Sequence, residues 1–147
     1  MGRRHRGREL AFQVLFQLDQ GDNSLSQVLK HFNDLKTANA EARQFAEELA
    51  KGASLKSEEI DRLITATAKN WSLKRLASVD RALLRLGAYE LLYRDDIPPE
   101  VSLDECVELA KVYGSDESPA FLNGVLDTLR KSNRREGSAA RPKSAKR

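Results

Sequence analysis

Arginines crowd the start of the chain, in the run Arg3-Arg4-His5-Arg6-Gly7-Arg8. A guanidinium is a planar, permanently charged fork that grips phosphate and stacks on flat rings. Arg3, Arg4, Arg6 and Arg8 together suit a polyanion held by salt-sensitive contacts. If all four met phosphates of a single strand, the log–log salt slope would be about −2.8. A solvated basic terminus is the ordinary alternative. Phe16 offers a second kind of contact. On a helix whose core face runs through Ala11, Val14, Leu15 and Leu18, it lies about 140° from Ala11, beside Glu9 and Gln13. An aromatic there can stack or dock a protein, or pack on a neighbouring helix. The acids Asp116 and Glu117 precede Ser118 and a helix start, where capping and the helix dipole are their ordinary use.

Catalytic and metal chemistry find little support. There is no phosphate-cradling glycine loop of either common type and no metal-spaced Cys/His set. The single cysteine, Cys106, shares a helical face with Leu103, Val107 and Ala110 and reads as a buried, inert thiol. No cofactor, no metal and no enzymatic activity are expected.

The 147 residues suit one domain. The net charge of +3 hides a segregation. Residues 1–8 hold four arginines and no acid, and residues 130–147 hold eight Lys or Arg and one acid. The body between carries 13 basic and 21 acidic residues. Such a chain can bind a polyanion at one place and a basic protein at another. No apolar run nears the roughly 20 residues of a membrane span, and a cytoplasmic protein is the simplest expectation.

Every periodic segment that must position these groups reads as helix. Leu25, Val28, Leu29 and Phe32 make a second stripe behind the capping box Ser24/Gln27. Phe45 and Leu49 follow with alanines 42, 46 and 50, and Ile60, Leu63 and Ile64 follow Ser57 as N-cap. Residues 79–93 are apolar nearly all round, which marks a central, buried helix. Ser102 with Glu105 reads as a capping box opening a helix to Tyr113, with Gly114 in a left-handed C′ position. Ser118-Pro119 reads as N-cap and N1 of the last helix. Gly87 and Gly124 fall inside helices and imply close helix contact, with each other in the simplest case. The expectation is an all-α fold of about seven helices. Residues 132–147, lacking an apolar face, read as a disordered basic tail.

An ordered series of short motifs runs through the second half: Asn70-Trp71, Val79-Asp80-Arg81, Leu84-Arg85-Leu86, Tyr89-Glu90-Leu91, Val107-Glu108-Leu109-Ala110-Lys111, Tyr113-Gly114, Ser118 and Phe121-Leu122-Asn123-Gly124-Val125-Leu126. In order and spacing it resembles the NusB family of bacterial transcription antitermination factors. The resemblance implies two packed helical subdomains, about 8–68 and 72–131, in a single domain over residues 1–131. It implies single-stranded boxA RNA of ribosomal RNA transcripts as ligand, held by Arg3, Arg4, Arg6 and Arg8 with Glu117, Ser118 and Phe121. Pro119 and Ala120 depart from the polar or basic residues other members often carry there. The resemblance further implies that Phe16, Trp71, Asp80 and Arg81 dock the ribosomal protein NusE, and that the complex joins RNA polymerase with other Nus factors.

Two rivals accompany this reading. One is a homodimeric helical interaction module, since some members form homodimers. The other is an accessory domain of the kind fused to ribosomal RNA methyltransferases.

Overall fold

The computed structural model describes residues 2–68 and 70–140, with side chains through Asn133. Among them are eight α-helices and one 3₁₀ turn, with no strand. The helices are α1 (Arg3–Gln20), α2 (Leu25–His31), α3 (Asn33–Lys36), α4 (Ala40–Leu55), α5 (Ser57–Thr67), α6 (Ser78–Tyr93), α7 (Pro99–Tyr113) and α8 (Ser118–Ala140). The 3₁₀ turn spans Leu73–Arg75. The one helix beyond the expected seven is α3, a single turn that periodicity cannot register.

The apolar-all-round segment is α6, and it packs against α1, α4, α5, α7 and α8. Leu83, Leu84 and Ala88 are wholly buried on it, and Ala82 and Leu86 nearly so. One core runs from Leu10 on α1 through Leu49, Ile60 and Leu84 to Leu129 on α8. A satellite of Val14, Val28 and Ala50 seats α2.

The capping box of α2 forms as expected. Ser24 Oγ accepts from the Gln27 amide at 3.2 Å, and Gln27 Oε1 accepts from the Ser24 amide at 2.8 Å. Only Val28 of this seven-residue helix is fully buried, so the cap carries an unusual share of its stability. Ser24→Ala is expected to cost about 0.5–2 kcal/mol in urea unfolding; a cost below a few tenths would show that the box contributes nothing.

Other helix ends differ from expectation. Helix α4 runs to Leu55, so Lys56 ends it and begins α5, and Ser57 is already helical. Helix α7 opens four residues early, with Pro98 as N-cap and Pro99 at N1, where proline's fixed φ suits a helix start. Ser102 is therefore interior to α7 and buried, not a cap. Gly114 is extended at φ −96°, not left-handed. Its need for glycine is space, since a Cβ would lie 2.5 Å from Ser118 Oγ. Gly87 and Gly124 do not meet. A Cβ on Gly87 would strike Leu126 at 2.7 Å, whereas one on Gly124 would meet nothing within 4 Å.

The last helix continues to Ala140, nine residues past the expected boundary. Arg, Glu and Ala favour helix without any packed face, so the lack of an apolar stripe is a poor guide to helicity there. Residues 141–147 of the expected tail lie outside the described residues.

Candidate nucleic-acid interface

The arginine run forms the first turns of α1, whose first turn holds no acid. A helix N-terminus carries partial positive charge, so cations there are disfavoured and an anion is welcome. The four arginines are not equivalent. Arg3 Nη1 lies 2.6 Å from Glu41 Oε1 of α4, both side chains mostly exposed. Arg6 Nη1 lies 2.7 Å from Glu9 Oε1. Arg4 lies over the Phe45 ring, 4.4 Å from its centroid. Its Nη2 stands 3.8 Å from Asp96 Oδ2, beyond hydrogen-bond distance. Arg4 thus keeps most of its hydrogen-bonding capacity for a ligand.

Arg8 does not belong to this surface. Its side chain is 4% exposed, and Nε and Nη2 donate to Glu90 at 2.8 and 3.0 Å. Ser102 Oγ donates to the same carboxylate at 2.7 Å. The expectation that Arg8 holds phosphate is corrected on this geometry: its fork is already filled, inside the core. Four arginines two or fewer residues apart cannot all face outward on a helix, and Arg8 falls on the face of Leu15 and Ala11.

The turn before α8 is tied to the same edge of α1. Tyr113 Oη donates to Glu9 Oε2 at 2.5 Å and accepts from Gln13 Nε2 at 3.2 Å. Burial and the adjacent Glu9 push the Tyr113 hydroxyl up to about 12, so it stays a donor. His5 Nδ1 meets Glu105 Oε1 at 2.7 Å one turn earlier. Asp116 and Glu117 are exposed in the turn, while Ser118 is buried. Ser118 Oγ accepts from the Ser115 amide at 3.0 Å and donates to Asp80 Oδ1 at 2.6 Å. The expected direct RNA contact from Ser118 is corrected on this geometry: the residue is buried, and its hydroxyl is taken up by Asp80, the Ser115 amide and the Ser115 hydroxyl 3.2 Å away.

The protein-docking candidates also divide. Phe16 is half-buried, 6.2 Å from Phe12, and Phe12 is 5.0 Å from Tyr113. Asp80 is committed to Ser118. Arg81 is internal: it grips Asp19 at 2.7 Å and the carbonyls of Leu73 and Leu76 at 2.9 Å each. These bonds hold the Asp19 carboxyl below the usual carboxylate range. Arg81 fastens the 3₁₀ turn and α1 to α6, and its expected role as a docking contact is corrected accordingly. Trp71 is 55% exposed, edge-on to Phe121 with centroids 5.0 Å apart.

The structure thus joins residues from the two expected surfaces, Asp80 with Ser118 and Trp71 with Phe121. Sequence reasoning missed Phe45 as the platform of Arg4, and Glu41 and Asp96 as the acidic neighbours of Arg3 and Arg4. No local pattern links residues about forty or more apart. Among the described residues no cluster could hold a metal ion, and no helix is long and apolar enough to cross a membrane. Burial raises the pKa of the Cys106 thiol, and its Sγ donates weakly to the Leu83 carbonyl.

A model of the NusB family matches residues 5–131. The transcription antitermination protein NusB of Trichlorobacter lovleyi is 45% identical over 129 residues, covering 88% of this chain and 91% of that protein. That of Geobacter sulfurreducens is 44% identical over 130 residues, covering 88% and 94%. The structure of T. maritima NusB superposes with TM-score 0.81 at 41% identity, covering 89% of this chain and 92% of that one. A crystal structure of antitermination factors NusB and NusE in complex with dsRNA gives TM-score 0.81 at 32% identity, covering 90% and 98%.

Proposed function

The chain belongs to the NusB family, and from that premise we propose that it is an RNA-binding transcription antitermination factor that acts with the ribosomal protein NusE. It binds boxA RNA of nascent ribosomal transcripts as an unpaired strand. The joint complex loads on RNA polymerase with other Nus factors and opposes termination. Its work is binding, not turnover, and residues 1–131 act as one NusB-like domain of two subdomains.

The observation that carries this reading is the start of α1. Three surface arginines sit at the positive end of a helix with no acid in its first turn. That arrangement costs stability unless an anion occupies it. Arg3, Arg4 and Arg6 hold phosphates, and the exposed turn with Glu117 and the ring of Phe121 border the strand. Glu41, Glu9 and Asp96 hold the guanidinium groups in place while competing with phosphate for them. NusE, a basic protein, meets the acidic body near Phe16 and Asp80. Two modest surfaces sharing one RNA gain from effective concentration.

Fluorescence-anisotropy titration tests this, with boxA-like, scrambled and duplex RNA across salt, with and without NusE. The expected result is that NusE tightens boxA binding selectively. Arg4→Ala weakens it and flattens the salt slope by about 0.7, one phosphate's worth on a single strand. Equal binding of all RNAs with no help from NusE sinks the proposal. Self-association, read by sedimentation, would then lead.

A further inference from the structure

Between the end of α5 and the outer face of α8 lies an open cleft of about 440 Å³, walled by Trp71, Phe121 and Val125. We propose that this cleft receives one unpaired nucleobase of the bound strand, which rests on the RNA-binding reading above and extends it to Trp71, Asn70 and Gly124.

Three observations carry it. First, Trp71 is held out in solvent, braced edge-on by Phe121. A large aromatic surface left open beside a candidate RNA edge is a stacking platform. Secondly, Gly124 sits in the interior of α8, where glycine destabilises a helix. Unlike Gly87, it has no packing reason, because a Cβ there meets nothing within 4 Å. Its missing side chain instead leaves room for a flat group to lie against the helix backbone. Thirdly, the rest of the lining is small (Ala68 and Ala120) or neutral and polar (Asn70, Thr67 and Thr128). None of the described residues lining the cleft is ionised. A phosphate or a charged side chain finds no counter-charge there. A neutral ring with donors and acceptors on its edge finds both an amide that can read it and a face to stack on.

The cleft is continuous with the proposed RNA path. Phe121 lies in the first turn of α8, directly after the turn that Tyr113 ties to α1. A strand crossing the α1 arginines and that turn arrives at Phe121, and the next splayed base reaches Trp71.

Trp71 is the only tryptophan in the chain, so its emission reports on this cleft alone. The full chain is titrated with a boxA-like single strand, a series carrying one abasic position each, and inorganic polyphosphate as a purely anionic probe. Quenching by the single strand, none by polyphosphate, and loss of the quench at one abasic position are expected. Affinity at that position should fall by about 5- to 150-fold, the range of one base–aromatic stack. Gly124→Leu fills the cleft and should reproduce both effects with a melting temperature at or above that of the parent. Arg4→Ala should lower affinity yet leave the saturating quench intact. If RNA binds, depends on Arg4, and neither emission nor Gly124→Leu responds, the cleft proposal fails while the RNA reading stands. If no RNA binds, both fail. If NusE alone quenches Trp71 and Gly124→Leu weakens NusE but not RNA, the cleft is a protein-docking site and the proposal is overturned.

Discussion

Glu90→Ala is expected to lower stability by about 3–5 kcal/mol in urea unfolding, because it strands a buried guanidinium without its partner. The carboxylate is 2% exposed and receives Arg8 through two nitrogens and Ser102 through its hydroxyl. Removing Arg8 alone should cost a similar amount. Removing both charges together should cost far less, since desolvating an ion pair offsets most of its attraction. Arg8→Met with Glu90→Met is therefore the informative variant. It should fold, and its RNA affinity should match the parent, because Arg8 offers phosphate nothing. A single-variant cost below about 1 kcal/mol would refute the buried pair. A folded double variant with weakened RNA binding would return Arg8 to the interface.

Phe45→Ala is the second large effect. The ring is 6% exposed, and truncating such a residue costs about 3–5 kcal/mol. It also carries three guanidinium groups, those of Arg4, Arg8 and Arg94, at 4.4, 5.3 and 5.6 Å. Gly7 of α1 approaches it so closely that a Cβ would lie 2.8 Å from Phe45 Cδ2 and 3.0 Å from the Ala42 carbonyl. Phe45→Leu separates packing from stacking. It should keep the fold at a smaller cost than Phe45→Ala, since most of the buried volume remains, while removing the flat face beneath Arg4. In a double-mutant cycle on RNA affinity, Arg4→Ala should then matter less in the Phe45→Leu background than in the parent. Additive effects would show that the ring does not orient Arg4.

The elements were legible because helical periodicity and caps are local. The stripe of α1, the box Ser24/Gln27 and the all-round apolarity of α6 each predicted what the chain does. Where proline chemistry competed with a serine cap, at Pro98-Pro99 against Ser102, the more rigid residue set the start of α7. The site was legible only as a list of neighbourhoods. Arginine spacing announced a charged helix start but not that Arg8 turns inward, since that depends on Glu90, 82 residues away. Asp80 and Ser118 looked like members of different surfaces because their mutual bond spans 38 residues. Gly124 looked like a packing glycine because only the neighbouring helices show that the space above it is open.

The Arg8–Glu90–Ser102 cluster also orders events in time. Synthesis proceeds at about 5–20 residues per second, so Arg8 waits roughly 4 to 16 s for its carboxylate to be made. Until then the α1–α4 pair has an unmatched cation on the face it must bury. The buried face of α1 is therefore complete only when α6 and α7 supply Glu90 and Ser102, and an α1–α4 fragment would leave Arg8 without its carboxylate.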